Sequence, residues 1–196
     1  MKNKVIGVLL TYNCENLVQK AINNIPREEF DDLICSDDGS KDKSVDIIKM
    51  LKIKYNNLRL ICLKRDKNRK LGETRNISIK EARGEYVILH IDSDDYWEPY
   101  IESFVNLFHK LEKLLKKNVL LSGQQINIAK KDFLLQYGPY RNIQRSQDRD
   151  MWHRLASIDA YIPVDHMVFR KRLTRPYLIQ LKRNFINTWN QIVYEL

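Results

Sequence analysis

Residues 90–99, HIDSDDYWEP, set Asp92, Asp94 and Asp95 directly after the apolar run EYVIL. Two ionised carboxylates about 5 Å apart repel by about 3 kcal/mol at an effective dielectric of about 20. Either a cation offsets that repulsion or the cluster is solvated. Hard oxygen donors at a strand end suit Mn²⁺ or Mg²⁺, which are commonly held by one or two carboxylates together with substrate phosphates. The competing reading is structural: aspartates ahead of YWEP would cap the following helix and favour its dipole. A second acidic stretch, SDDGSKDKS (36–44), offers Asp37 and Asp38 to a ligand, or else forms a solvated turn into a helix capped by Asp42 or Ser44. A third, DRD (148–150), opens a helix-like segment. Taken alone, Asp148 and Asp150 there read as N-terminal helix charge.

The elements that must position these residues alternate along the first half of the chain. VIGVLL (5–10), LICS (33–36), LRLICL (58–63) and YVILHI (86–91) are continuous apolar runs, the pattern of strands buried on both faces. Helical spacing links Leu17, Val18, Ala21, Ile22 and Ile25 up to Pro26, and then Val45, Ile47, Ile48 and Leu51. ETRNISIKEA is a third helix, with Gly84 as its stop. Strand–helix alternation predicts βαβ units and a mostly parallel sheet, whose ligands bind beyond the carboxyl ends of the strands. Thr11–Asn13, Ser36–Asp42 and Asp92–Asp95 all fall at such ends. The second half is less regular. A long amphipathic helix follows Glu98-Pro99 to about Lys117, and VLLSG (119–123), INIA (126–129) and HMVFR (166–170) read as strands. RNIQRSQ is a loop, DRDMWHRLAS (148–157) a helix, and the tail from Pro176 is helical again.

Composition bounds the function. The chain has 196 residues, 43% of them apolar, with 6 Gly and 5 Pro, which suits one globular domain with a real core. A net charge of +9 admits nucleic acid, anionic lipid or phosphorylated substrates as partners without choosing among them. Cys14, Cys35 and Cys62 form no CxxC, so zinc and redox readings are weak and a reducing compartment is expected. The N-terminal apolar run is too short for a signal core or a membrane span. The expectation is a cytoplasmic protein.

In this order, VIGVLLTYNCENLVQKAI, DLICSDDGSKDKSVDII, LGETRNISIKEARGEYVILHIDSDDYWEP and SQDRDMWHRL resemble the segments of family 2 glycosyltransferases with the GT-A fold. The resemblance implies an α/β fold: a Rossmann-like, mostly parallel sheet flanked by helices, with a short C-terminal acceptor-side part. On this reading residues 1–196 form a single glycosyltransferase domain. Residues 1–97 bind the nucleotide sugar, and residues 98–196 carry the acceptor side, the base and the C-terminal helix. The implied donor is a nucleotide-diphosphate sugar, the acceptor a glycan, a protein or a lipid-linked sugar, and the cofactor Mn²⁺ or Mg²⁺. By the same resemblance Thr11, Tyr12, Asp37 or Asp38 hold the nucleoside and Arg75 lies beside the diphosphate or orders the acidic site. Asp92, Ser93 and Asp94 form the D-x-D signature, with Asp94 facing ribose or metal and Asp95 facing metal. His166 is a candidate third metal ligand. The family's Glu-Asp ahead of the W-x-R-L segment is here Gln147-Asp148. Alignment therefore puts the catalytic base at Asp148, and a shortened loop makes Asp150 its rival. The implied chemistry is one in-line displacement with inversion, a carboxylate taking the acceptor proton.

Other features have plain structural readings. His90 reads as core packing, sharing the side-chain face of Asp92 if the strand continues. Trp97 and Trp152 read as packing rather than as a sugar platform. The tail, with RKRLTR (170–175), Lys182 and Arg183 around Tyr177, Phe185 and Trp189, either closes the core or makes peripheral contact with an anionic membrane. A non-catalytic, basic nucleic-acid-binding domain is the rival function, but acidic residues collect where its ligand would bind and no recognition motif occurs, so nucleic acid is not expected. A sugar nucleotidyltransferase would be expected to carry a Gly-rich loop after the first strand, and TYNCEN has no Gly.

Overall fold

The computed structural model describes residues 5–25, 30–91, 95–97, 101–123, 126–143, 145–164, 170–172 and 177–195. The first half follows the predicted alternation. β1 (Val5–Thr11), β2 (Asp32–Asp37), β3 (Leu58–Cys62) and β4 (Tyr86–Ile91) are separated by α1 (Glu15–Asn24), α2 (Ser44–Lys54) and α3 (Leu71–Glu81). α3 starts two residues before the predicted segment and ends at Glu81, where the extended backbone of Ala82 stops it. Gly84 is therefore not the stop. Next come β5 (Asp95–Trp97), α4 (Ile101–Leu115), β6 (Leu120–Gly123), β7 (Ile126–Lys130), α5 (Lys131–Tyr137), α6 (Gln147–Ala156), β8 (Tyr161–Pro163), β9 (Arg170–Arg172) and α7 (Tyr177–Glu195). Of the predicted strand 166–170 only Arg170 is described, as the first residue of β9; the rest lies outside the described residues.

The main sheet has the order β3-β2-β1-β4-β7-β6-β8, and β5 pairs with β9 apart from it. β7 runs against its neighbours β4 and β6, and the other pairings of the main sheet are parallel. The chain progresses outward from β1 to β3, then returns to add β4 on the other side of β1. That reversal is a topological switch point, where loops diverge and open a crevice. Thr11 pairs with Asp37, and Asp37 with Cys62, so the carboxyl ends of β1, β2 and β3 are level.

Apolar faces explain the layers. One core cluster joins Val5, Leu9, Leu33, Cys35, Tyr86, Ile88 and Ile91 of the sheet to Val18 and Ile22 of α1, Ile48 of α2, and Phe104 and Phe108 of α4. The other joins Ile6, Val8, Ile34, Val87 and Leu89 to Ile79 of α3, Leu134 of α5, and Met151 and Leu155 of α6. Alternation along β1 and β2 is regular. β4 breaks it: Gly7 pairs with Ile88 but Leu9 pairs with Ile91, so β4 carries one extra residue in a bulge. Ile91 consequently faces the same core as Ile88. The His90 side chain lies outside what is described.

Candidate functional site

The loops after β1 and β2 are built as one piece. The Asp37 carboxylate, 1% exposed, accepts hydrogen bonds from the Gly39 and Ser40 amides (3.0 and 2.8 Å), the Ser40 hydroxyl (2.5 Å) and the Thr11 hydroxyl (3.2 Å). Gly39 takes φ +79°, which lets the chain fold back around that carboxylate. The helices that follow cap one another. The Glu15 amide of α1 donates to Asp42, and the Lys43 amide at the start of α2 donates to Glu15. Desolvation alone would raise the Asp42 carboxyl. The Ser44 hydroxyl and the Glu15 and Ser44 amides outweigh it and hold the group below its usual value.

Asp38 faces a different environment. Its amide donates to the Thr11 carbonyl, and its carboxylate meets Arg65 at 2.7 Å and Arg69 through two nitrogens at 2.7 and 3.0 Å. Arg65 also lies over the Tyr12 ring at 4.6 Å, and that ring is largely exposed. Tyr12, Asp38, Arg65 and Arg69 thus form a polar, partly aromatic surface at the carboxyl ends of β1 and β2. Arg65 and Arg69, in KRDKNRK (64–70), were not among the residues singled out in the sequence. Their signal was basic residues spaced to reach back to SDD.

Arg75 and Asp148 are 73 residues apart in sequence, and their side chains form an ion pair. Arg75 projects from the middle of α3, is nearly buried, and lies over the Tyr140 ring at 5.3 Å. Asp148 is in the first turn of α6. The same carboxylate oxygen that meets Arg75 accepts a hydrogen bond from the buried Gln147 side chain at 2.9 Å. Ser146, with φ 56°, turns the chain into the helix. The segment between α5 and α6 is fixed to α3 at three points. Asn76 and Tyr140 exchange two hydrogen bonds (2.8 and 2.9 Å), Asn142 accepts from the Lys70 amide and donates to the Asn68 carbonyl, and the Gly72 amide donates to Ile143. A Cβ on Gly72 would lie 2.0 Å from the Arg141 carbonyl oxygen, so glycine is what permits this approach.

Asp150, two residues on, has each oxygen taken by a guanidinium: Arg141 at 2.9 Å and Arg154 at 3.0 Å. Its side chain is 13% exposed, against 30% for Asp148. Trp152 packs on Tyr161 and donates to Asn127, the structural role expected of it.

The structure therefore brings Thr11, Tyr12, Asp37 and Asp38 together at one end of the sheet, and joins Arg75 to Asp148. Asp92, Ser93, Asp94 and His166 lie outside the described residues. Of Asp95 the backbone alone is described, opposite Arg172 at the start of β5, as is that of Trp97. Among the described residues no three His, Cys, Asp or Glu side chains converge on a metal position. The donor chemistry still distinguishes the acidic groups. Asp37 and Asp38 already have protein donors as partners, whereas 92–95 is, in the sequence, a run of hard oxygen donors directly after β4.

Comparison with known proteins agrees with this frame. The model of the family "Glycosyl transferase family 2" matches residues 8–174. A poly(ribitol-phosphate) beta-glucosyltransferase of Bacillus spizizenii is 39% identical over 99 residues, which is 47% of this chain and 15% of that protein. The chain therefore spans a small part of that relative's length. The structure of S. aureus TarS 1–349 in complex with UDP-GlcNAc superposes with TM-score 0.68 at 17% identity, covering 88% of this chain and 59% of that one. Glucosyl-3-phosphoglycerate synthase of Mycobacterium tuberculosis, in complex with Mn²⁺, UDP-Glc and phosphoglyceric acid, superposes with TM-score 0.60 at 19% identity, covering 92% and 75%.

Proposed function

The chain belongs to glycosyl transferase family 2, and from that membership we propose that it transfers a sugar from a nucleotide-diphosphate sugar to an acceptor hydroxyl with inversion, using Asp148 as general base. Family membership favours this over nucleotidyl transfer or nucleic-acid binding. The observation that carries the reading is the Arg75–Asp148 pair. It sets a cation suited to a diphosphate beside a carboxylate suited to a proton, on two helices tied together by the 138–143 segment.

Tyr12 and Asp38 border the nucleoside, with Thr11 and Asp37 holding the loop that presents them. The donor's diphosphate draws the Arg75 guanidinium into a bidentate contact. Asp148 then turns to the acceptor. Its carboxylate takes the hydroxyl proton as the acceptor oxygen bonds to the anomeric carbon and the carbon–diphosphate bond breaks. Asp94 and Asp95, with His166 as a further candidate, would hold a divalent cation, Mn²⁺ or Mg²⁺. That cation supplies Lewis-acid neutralisation of the leaving diphosphate. Asp150 is a structural residue on this reading, because both its oxygens serve Arg141 and Arg154. The acceptor class proposed is a glycan, a protein or a lipid-linked sugar.

Mn²⁺-dependent turnover of a panel of nucleotide sugars, with UDP binding followed by calorimetry, tests the assignment. Asp148→Asn is expected to keep UDP binding and lose turnover by about 10²–10⁴-fold, and Asp150→Asn to keep turnover. The reverse result moves the base. Asp94→Ala and Asp95→Ala are each expected to remove the Mn²⁺ dependence of UDP binding. Unchanged binding in both would refute the metal assignment.

A further inference from the structure

The two sequence readings of the tail separate once exposure is known. Tyr177, Leu178, Leu181, Phe185 and Trp189 of α7 are 75%, 77%, 46%, 73% and 58% exposed, so this face does not close the core. At about 100° per residue they fall in a sector of about 120°. By sequence spacing Gln180, Asn187, Asn190 and Gln191 fall on the opposite arc, together with Ile179, which is 52% exposed. The helix has the 19 residues of a short span, yet no helix among the described residues is long and apolar enough to cross a membrane. A solvent-facing aromatic and aliphatic stripe on a helix that also carries polar and basic residues fits an interface between water and acyl chains. Trp and Tyr suit that boundary, presenting an apolar body and a polar tip.

Charge selects the kind of surface. Residues 170–195 contain Arg170, Lys171, Arg172, Arg175, Lys182 and Arg183 against the single acid Glu195. Arg170–Arg172 form β9, anchored on β5. A second copy of the chain would bring the same cations together, whereas an anionic bilayer complements them. We infer that α7 lies flat on an anionic lipid surface, apolar stripe inward, with β9 as its basic flank. The inference is independent of the donor reading, because nothing in it involves the nucleotide site.

Flotation of the intact chain with phosphatidylcholine vesicles, alone or mixed with phosphatidylglycerol, tests it, with UDP–Mn²⁺ binding as a separate control. Co-flotation is expected with the mixed vesicles alone, falling at high salt. Leu181→Glu with Phe185→Glu should abolish it while circular dichroism stays unchanged. Lys182→Gln with Arg183→Gln should weaken it roughly tenfold or more. Absence of flotation by the unaltered chain overturns the inference, and so does unchanged flotation of the Leu181→Glu, Phe185→Glu protein. A concentration-dependent dimer in sedimentation that the same two substitutions dissolve would also overturn it, by naming a second copy as the occupant.

Discussion

Asp37 and Asp38 are adjacent and chemically identical, and their surroundings give them different work. Asp37 is enclosed by hydroxyl and amide donors, and Asp38 is opposed by two guanidinium groups. Asp37→Ala leaves those donors without their acceptor and is expected to cost about 3 kcal/mol, read by urea unfolding, since bonds to a charged group are worth about 1.5–3 kcal/mol each. The sequence marked both residues as candidates because both follow a strand. It could not separate them, because the difference lies in partners brought from Thr11 and Arg65–Arg69 by the fold. Arg75 and Asp148 were each legible through the family pattern, but their pairing was not, since nothing local couples positions so far apart. Arg75→Lys keeps the charge and loses the planar fork. Its expected signature is kcat lowered by roughly 10–100-fold with a smaller loss in UDP affinity, measured by steady-state kinetics and calorimetry; equal losses in both would make Arg75 a simple charge.

Between elements, the segment 138–143 is what carries α6 to α3. Gly72 sets the distance of closest approach, so Gly72→Ala should push the Arg141 carbonyl away and destabilise the fold by about 1–3 kcal/mol, the range for overpacking. The midpoint of urea unfolding checks this, and a shift within error would mean that the segment yields freely. The strands of the first half were readable because each is an apolar run bounded by polar turns. α5 was not, because β7 passes into it at Lys130–Lys131 with no Gly or Pro between them. β5, β8 and β9 have three residues each, too few for a period to show. Gly84 misled for the opposite reason: it is a plausible stop, but Ala82 had already left the helix.

For the molecule as a whole, the order β3-β2-β1-β4 sets the crevice between β1 and β4, the place proposed for the donor. Saturating UDP with Mn²⁺ at about 100 times its Kd would add about 2.7 kcal/mol to the folded state. For a chain of this size that corresponds to a rise in Tm of about 5–10 °C, readable by calorimetry, and EDTA should cancel it. A Tm indifferent to UDP and Mn²⁺ together would leave the crevice without its proposed occupant. The mostly parallel sheet was legible from alternation; the reversal of β7 was not read, although the two residues between β6 and β7 leave room only for a hairpin. The extra residue in β4 has its own consequence. It acts as a phase slip: Ile91 is half a pleat out of step with a count begun at Tyr86. Trimming one residue between Ile88 and Ile91 would leave a strand of acceptable composition and turn Ile91 away from the core it shares with Ile88.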